Sequence, residues 1–190
     1  FTPPTQQGTI LMPSGAGGMN WAGGAVDPRT GMLYVPNLQM PAVIKLVPRE
    51  GPVDPRRPGG GAEEGLFPMR GTPFIAQLNF LLSPLGAPCS APPWATFTAV
   101  DLATGAIKWQ VPLGTIANLH PLAPPLPLGA PFSGGPVVTA GGISFMAGTT
   151  DRKIRAFDTG TGKVLWSATL PASGMATPMT YSWRGRQYLV

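Results

Sequence analysis

The chain has 190 residues and a formal net charge of +5, and only 11% of its residues are charged. Its 26 glycines and 25 prolines would alone suggest low complexity, but 43% hydrophobic residues exclude a disordered chain because they can form a core. The basic residues form no stripe interleaved with aromatic side chains, which argues against nucleic-acid binding. The composition favours many short strands joined by glycine- and proline-rich turns.

Local sequence features exclude several further classes of protein. Cys89 is the single cysteine, so no disulfide forms within the chain, and no zinc-ligand spacing occurs. No apolar run reaches the ~18 residues that a membrane-spanning helix needs. No signal peptide is visible, so we expect any membrane anchor or signal to lie upstream of Phe1.

The N-terminal part predicts short strands around a glycine-rich segment. Gly15–Gly18 is not a phosphate loop, because Asn20 replaces the last glycine of the dinucleotide fingerprint and no helical pattern follows. Asp27–Gly31 predicts a turn between two strands. The strands expected here cover residues 9–12, 21–26 and 32–35.

Residues 36–95 interrupt this rhythm with prolines and a run of three glycines. A loop of this length is usually functional or disordered. We interpret it as an insertion between two strands of one β-unit. Its middle, about residues 50–66, is predicted to be mobile, and residues 71–94 are predicted to be ordered.

One motif occurs twice, at residues 97–109 and 154–166. Each copy has an alternating apolar strand, an Asp, a Thr-Gly pair and a Trp, with the same Asp-to-Trp spacing. The Asp initiates a turn and the Gly supplies a positive φ, so Asp101 and Asp158 are interpreted as structural. Two copies with matching spacing predict repeated β-units.

The C-terminal half continues the pattern after a second proline-rich loop, residues 116–132. Four strands are predicted, followed by a hairpin, and helix is nearly absent from the pattern. We therefore expect one complete β-unit and parts of two others. The strands cover residues 136–139, 143–147, 153–158 and 164–170, and the hairpin covers residues 177–183 and 186–190.

The repeated motif resembles the tryptophan-docking motif of quinoprotein dehydrogenases, and six further segments resemble their membrane-bound glucose dehydrogenase branch. The resemblance implies an eight-bladed β-propeller that holds pyrroloquinoline quinone (PQQ) on its axis. It also implies that residues 1–190 are the C-terminal part of one propeller domain, with 36–95 inserted within a blade. Each Trp of the motif should pack between neighbouring blades. The six segments are Gly17–Trp21, Gly71–Phe74, Leu82–Cys89, Trp109–Thr115, Ala147–Thr149 and Pro178–Tyr181.

Asn20 and Trp21 are the leading candidates for cofactor contact. An amide donor and acceptor suit the carbonyls of a quinone, and the resemblance implies that the Asn of this segment approaches PQQ. The alternative is a turn Asn before a core Trp. Phe132 stands near the position of a stacking Trp in related alcohol dehydrogenases, and a tight inner turn is an equal alternative there. His120 has no apparent carboxylate partner and is interpreted as a loop residue, with substrate contact as the lesser alternative.

The family resemblance implies that the general-base Asp and the Ca²⁺ ligands lie upstream, so this chain alone should be inactive. The expected parent enzyme oxidises D-glucose, or second quinate or shikimate, and passes electrons through PQQ to ubiquinone. We expect it in the bacterial periplasm, attached to the inner membrane through an upstream segment. One alternative is a non-enzymatic propeller that acts as an envelope scaffold, which would not need Asn20 and Trp21. Another is an unassembled fragment without activity.

Overall fold

The computed structural model describes residues 2–14, 17–49, 65–84, 86–117 and 126–190. The described residues form strands, turns and loops without helix, which confirms the all-β fold class. None of them forms a helix long and apolar enough to cross a membrane. The strands are β1 Thr9–Leu11, β2 Ala25–Asp27, β3 Met32–Leu38, β4 Ala42–Pro48, β5 Leu66–Pro68, β6 Phe74–Phe80, β7 Ala95–Asp101, β8 Ile107–Pro112, β9 Pro136–Val138, β10 Ile143–Met146, β11 Lys153–Asp158, β12 Val164–Thr169, β13 Thr180–Trp183 and β14 Arg186–Leu189.

The chain divides into two compact units. Unit 1 comprises Phe1–Gly15 and Met40–Ser90, and unit 2 comprises Ala16–Gln39 and Ala91–Val190. Unit 1 contains one antiparallel sheet with strand order β1-β4-β6-β5. Unit 2 contains two four-stranded antiparallel sheets, β2-β3-β7-β8 and β9-β10-β11-β12, and the hairpin β13-β14.

Two four-stranded sheets in unit 2 correct the expectation of a single complete β-unit. Strands β3 and β7 pair along their whole length, from Met32 with Asp101 to Leu38 with Ala95. The long intervening segment obscured this pairing in the sequence. With β2 and β8 on either side, the two strands complete a sheet of the same kind as β9–β12.

The segment between β3 and β7 contains β4, β5 and β6. These strands pair with one another and with β1, so much of residues 36–95 is regular structure. Residues 71–94 include the ordered strand β6, as predicted. The prediction of mobility concerns residues 50–66, of which 50–64 lie outside the described residues.

The core of unit 2 lies between its two four-stranded sheets. Phe97 of β7 and Phe157 of β11 are both fully buried, with ring centroids 4.9 Å apart. Both strands are inner strands of their sheets and are buried on both faces, from Ala95 to Ala99 in β7 and from Arg155 to Phe157 in β11. Their contact aligns the two sheets face to face.

The two motif copies are equivalent strand–turn–strand units, as predicted. Both strand pairs carry a register shift at the same place, between Ala99 and Val100 and between Ala156 and Phe157. The Asp101 carboxylate accepts the amides of residues 103 and 104, and the Asp158 carboxylate accepts the amide and hydroxyl of residue 161. These bonds confirm the structural role of both aspartates. The pKa of both carboxyls lies below its ordinary value. The largest cause is a side-chain hydrogen bond, from Lys108 for Asp101 and from Thr161 for Asp158.

Trp109 docks between the sheets as predicted. Its Nε1 donates a hydrogen bond of 2.9 Å to the Thr159 carbonyl in the β11–β12 turn. A Cβ built on Gly162 would lie 2.6 Å from the indole ring, so only glycine allows the ring this close. The indole also packs edge-on against Phe97, with centroids 5.5 Å apart.

Trp166 does not dock in the same way, which corrects the expectation for the second copy. Its side chain is 51% exposed and lines an apolar cavity of about 540 Å³ with residues of β11 and of the hairpin. Next to Trp166 the described residues include only the hairpin β13–β14, so they contain no counterpart of the β11–β12 turn that Trp109 contacts.

Candidate functional site

Three segments of unit 2 converge where each leads into the first strand of its sheet. They precede β2, β9 and β13, and all three contain glycine or alanine at the contact. The Gly135 amide donates a hydrogen bond to the Thr177 hydroxyl (3.2 Å), and a Cβ on Gly135 would lie 2.4 Å from the Ala22 carbonyl oxygen. We call this place the glycine junction, formed by residues 22–24, 133–135 and 174–177.

Close backbone approach at the glycine junction depends on residues without a side chain. Gly148, in the loop between β10 and β11, has φ +95°, and a Cβ there would lie 2.4 Å from the Gly134 nitrogen and 2.8 Å from the Gly174 carbonyl oxygen. An L-residue at position 148 would be strained and would clash with backbone atoms. At the junction the backbone atoms of the three segments therefore pack directly on one another, without intervening side chains.

Asn20 lies at the edge of the glycine junction in a tight turn. Its Oδ1 accepts the Trp21 amide at 2.7 Å, and its carbonyl accepts the Gly23 amide at 2.9 Å. Reciprocal backbone bonds of 2.8 and 3.0 Å between Gly18 and Leu38 fix the chain before this turn. The partly buried Asn20 side chain has its acceptor occupied, and its Nδ2 has no hydrogen-bond partner in the described part of the chain. The amide group can therefore donate to a ligand.

Trp21 is 81% exposed, so its side chain lies outside the core of unit 2, whereas Asn20 does lie in a turn, as the alternative interpretation expected. Its neighbour Met19 is also exposed. An indole of this size normally buries most of its surface in a folded protein. Residues 19–21 therefore present two large apolar side chains and one amide beside the glycine junction.

Phe132 is brought to the same region but its ring lies in the interior, at 5% exposure. The reason is its bridge to Thr149, with the Ser133 amide donating to the Gly148 carbonyl at 3.2 Å. The segment thus reaches the junction through Gly134 and Gly135. Contact of Phe132 itself with a cofactor stays a prediction.

Other sequence candidates lie away from the junction. Asp101 pairs with Met32 at the end of its sheet opposite Gly18, and Asp158 pairs with Ile143 at the end of its sheet opposite Gly135. His120 lies outside the described residues. Among the described residues, no group of three or more His, Cys, Asp or Glu side chains could hold a metal ion.

Sequence reasoning missed a buried ion pair beside the junction. The Asp151 carboxylate, in the loop between β10 and β11, is paired with Arg155 and accepts the Thr115 amide at 3.1 Å. Asp151 and Arg155 are four residues apart, a spacing that brings side chains together on a helix, whereas these residues lie where a loop leads into strand β11. No local pattern indicated the contact with Thr115 either, because that contact joins two different sheets.

Comparison with known proteins places this architecture in a family. The model of the PQQ glucose/ethanol/alcohol dehydrogenase β-propeller domain matches residues 1–189. The quinoprotein glucose dehydrogenase of Escherichia coli is 41% identical over the whole chain, which spans 25% of that protein. The quinate/shikimate dehydrogenase (quinone) of Acinetobacter baylyi is 38% identical, with the whole chain again spanning 25% of its length.

A solved structure gives the same result for the fold. A europium-containing methanol dehydrogenase superposes with a TM-score of 0.62 at 26% identity, over 97% of this chain and 27% of that one. This chain thus spans about a quarter of the length of the relatives it matches. It belongs to the family of PQQ-dependent glucose, ethanol and alcohol dehydrogenases, and it is part of their β-propeller domain.

Proposed function

We propose that the chain is part of a PQQ-dependent dehydrogenase that oxidises a sugar or cyclic polyol, with D-glucose as first choice and quinate or shikimate as second. The support is 38–41% identity over the whole chain to enzymes named for these substrates. Because the chain spans a quarter of those enzymes, the activity belongs to a longer protein, called here the full-length protein. This chain supplies one wall of its cofactor cavity.

The observation that carries the proposal is the geometry of Asn20 beside the glycine junction. PQQ is a flat molecule with carbonyl and carboxylate oxygens around its edge, and when bound it accepts two electrons from the substrate. The two Nδ2 hydrogens of Asn20 can donate to the oxygens of such a ring system, and the close-packed backbone of the junction holds the turn that carries Asn20. The exposed Trp21 indole adds an apolar surface beside it. These residues would bind and orient the cofactor, and no proton transfer is assigned to them.

The remaining parts of the proposed enzyme lie outside this chain. The general base and the Ca²⁺ ligands are proposed to come from the preceding blades of the propeller. Ubiquinone is the proposed electron acceptor, which the word quinone in the names of two relatives supports. We propose a periplasmic location with attachment to the inner membrane through another segment of the full-length protein.

Reconstitution of the full-length apoprotein tests the proposal. Added PQQ and Ca²⁺ should restore oxidation of D-glucose, measured as reduction of a soluble ubiquinone analogue, and quinate and shikimate should be assayed in parallel. Omitting PQQ provides the control. Failure to bind PQQ would refute the proposal and leave the non-enzymatic scaffold as the better account.

A further inference from the structure

The Asp151 carboxylate is held by more hydrogen bonds than any other described carboxylate. Its Oδ1 accepts the Thr149 hydroxyl at 2.6 Å and the Lys153 amide at 3.2 Å. Its Oδ2 accepts the Thr115 amide at 3.1 Å. Arg155 donates to both oxygens. With a side-chain exposure of 2%, the group is fixed in position.

This carboxylate joins the two four-stranded sheets of unit 2. Thr115 follows β8 of one sheet, and Asp151 lies between β10 and β11 of the other. The approach is close: a Cβ on Gly114, which has φ +81°, would lie 2.9 Å from the Ala130 Cβ and 3.3 Å from the Asp151 Oδ2. The contact therefore sets the spacing of the sheets at this end.

The loop that Asp151 fixes also holds one segment of the glycine junction. Thr149 bridges Phe132, and the Thr150 amide donates to the Pro131 carbonyl at 3.0 Å. The backbone of Gly148 packs directly on Gly134. The position of residues 131–134 thus follows the position of residues 148–150.

Charge and protonation favour a positioning role for Asp151 over acid–base chemistry. Burial alone would raise the pKa of this carboxyl. The hydrogen bonds from Arg155 and Thr149 lower it by more than burial raises it, so the pKa is below its ordinary value. The group is ionised at neutral pH and its charge is compensated by Arg155. A saturated, ionised carboxylate has no proton to give and no free oxygen for a ligand.

We propose that Asp151 is a positioning residue for the PQQ cavity: it ties the loop of residues 147–150 to Thr115 and so holds the glycine junction in its binding geometry. This inference rests on the proposed function of the glycine junction. It concerns a residue that does not touch the cofactor, and it adds a determinant of PQQ affinity outside the contact residues.

The test is PQQ affinity of the full-length apoprotein carrying Asp151→Asn. Titration is followed by quenching of tryptophan fluorescence, and thermal melting of the apoprotein is measured alongside. The new amide places a donor against Thr115 or Arg155, so we expect the Kd for PQQ to rise about two- to tenfold. Asp27→Asn is the matched control, because Asp27 is also buried and paired with an arginine but lies at the opposite end of its strand from Asn20. We expect it to leave the Kd unchanged.

An unchanged Kd in Asp151→Asn, or equal rises in both variants, would overturn the inference. If Asp151→Asn fails to fold, Thr149→Val decides, because it removes the 2.6 Å donor to Asp151 and the 3.0 Å acceptor for Arg155 while keeping the side-chain shape. A raised Kd at unchanged melting temperature then supports positioning, and an unchanged Kd overturns it. Absence of PQQ binding by the unmodified protein would instead refute the proposed function.

Discussion

Replacement of Gly162 by alanine tests the docking of Trp109 quantitatively. Gly162 has φ +72°, and its new Cβ would meet three indole carbons at 2.6, 2.9 and 2.9 Å. The positive φ costs about 1–2 kcal/mol for a residue with a Cβ. Overpacking against the ring adds about 1–3 kcal/mol. The free energy of unfolding should therefore fall by about 2–5 kcal/mol.

Gly31→Ala is the matched control for the cost of placing a side chain at a positive φ. Gly31 ends the same Asp-x-x-Thr-Gly turn, has φ +67°, and has no atom within 4 Å of a built Cβ. Urea unfolding of the full-length protein should show a loss of about 1–2 kcal/mol for this variant, with unchanged m values. In a Trp109→Ala background the excess cost of Gly162→Ala should disappear. Equal losses for the two glycine variants would refute the docking argument.

Three further predictions follow from the site and the exposed surfaces. Asn20→Ala in the full-length protein should raise the Kd for PQQ about two- to tenfold at unchanged melting temperature, since one hydrogen bond is lost; loss of soluble protein in parallel would make Asn20 a structural residue only. The isolated 190-residue chain should self-associate in analytical ultracentrifugation, because Trp166 and Trp183 are about half exposed and Trp166 lines an open apolar cavity; a cooperative monomer would contradict this. The lowered pKa of Asp151 means that its ionised form stabilises the fold above the ordinary value of 3.8 and that this contribution is lost as pH falls below it. The difference in urea midpoint between the unmodified protein and Asp151→Asn should therefore shrink below about pH 4, and a constant difference down to pH 3 would contradict the assignment.

Local sequence was sufficient to predict the repeated strand pairs. In both copies the alternating strand, the turn-forming Asp and the left-handed Gly lie within a few residues of each other, so the information is local. The turn Asp27–Gly31 has the same Asp-x-x-Thr-Gly pattern without the Trp. Its Gly31 amide donates a hydrogen bond to the Asp27 carbonyl, as the equivalent glycine does in the two full copies.

Long-range pairing accounts for what sequence reasoning missed. Strand β4, Ala42–Pro48, was read as loop, yet it is stabilised by β1 and β6 on either side. Its partners are distant in sequence, and no local pattern specifies them. The environment of Trp166 was mispredicted for a similar reason, because docking depends on the turn that the next sheet offers.

In the candidate site, too, local features were predictable from the sequence and long-range contacts were not. The glycine-rich segment with Asn20 and Trp21 was recognisable from the sequence, and the structure places it at the junction of three sheets. The burial of Phe132 was not predictable, because it follows from a bridge to Thr149 on another loop. The contact of Asp151 with the Thr115 amide likewise depends on how two sheets are packed.

The most direct test of the account is the distance from the Asn20 Nδ2 to the nearest PQQ oxygen in an experimental structure of the full-length protein with PQQ bound. We predict a hydrogen bond, at about 2.7–3.2 Å, with the cofactor lying against the glycine junction. PQQ bound elsewhere, with the Asn20 Nδ2 paired to another protein group, would contradict the assignment of this chain to the cofactor cavity.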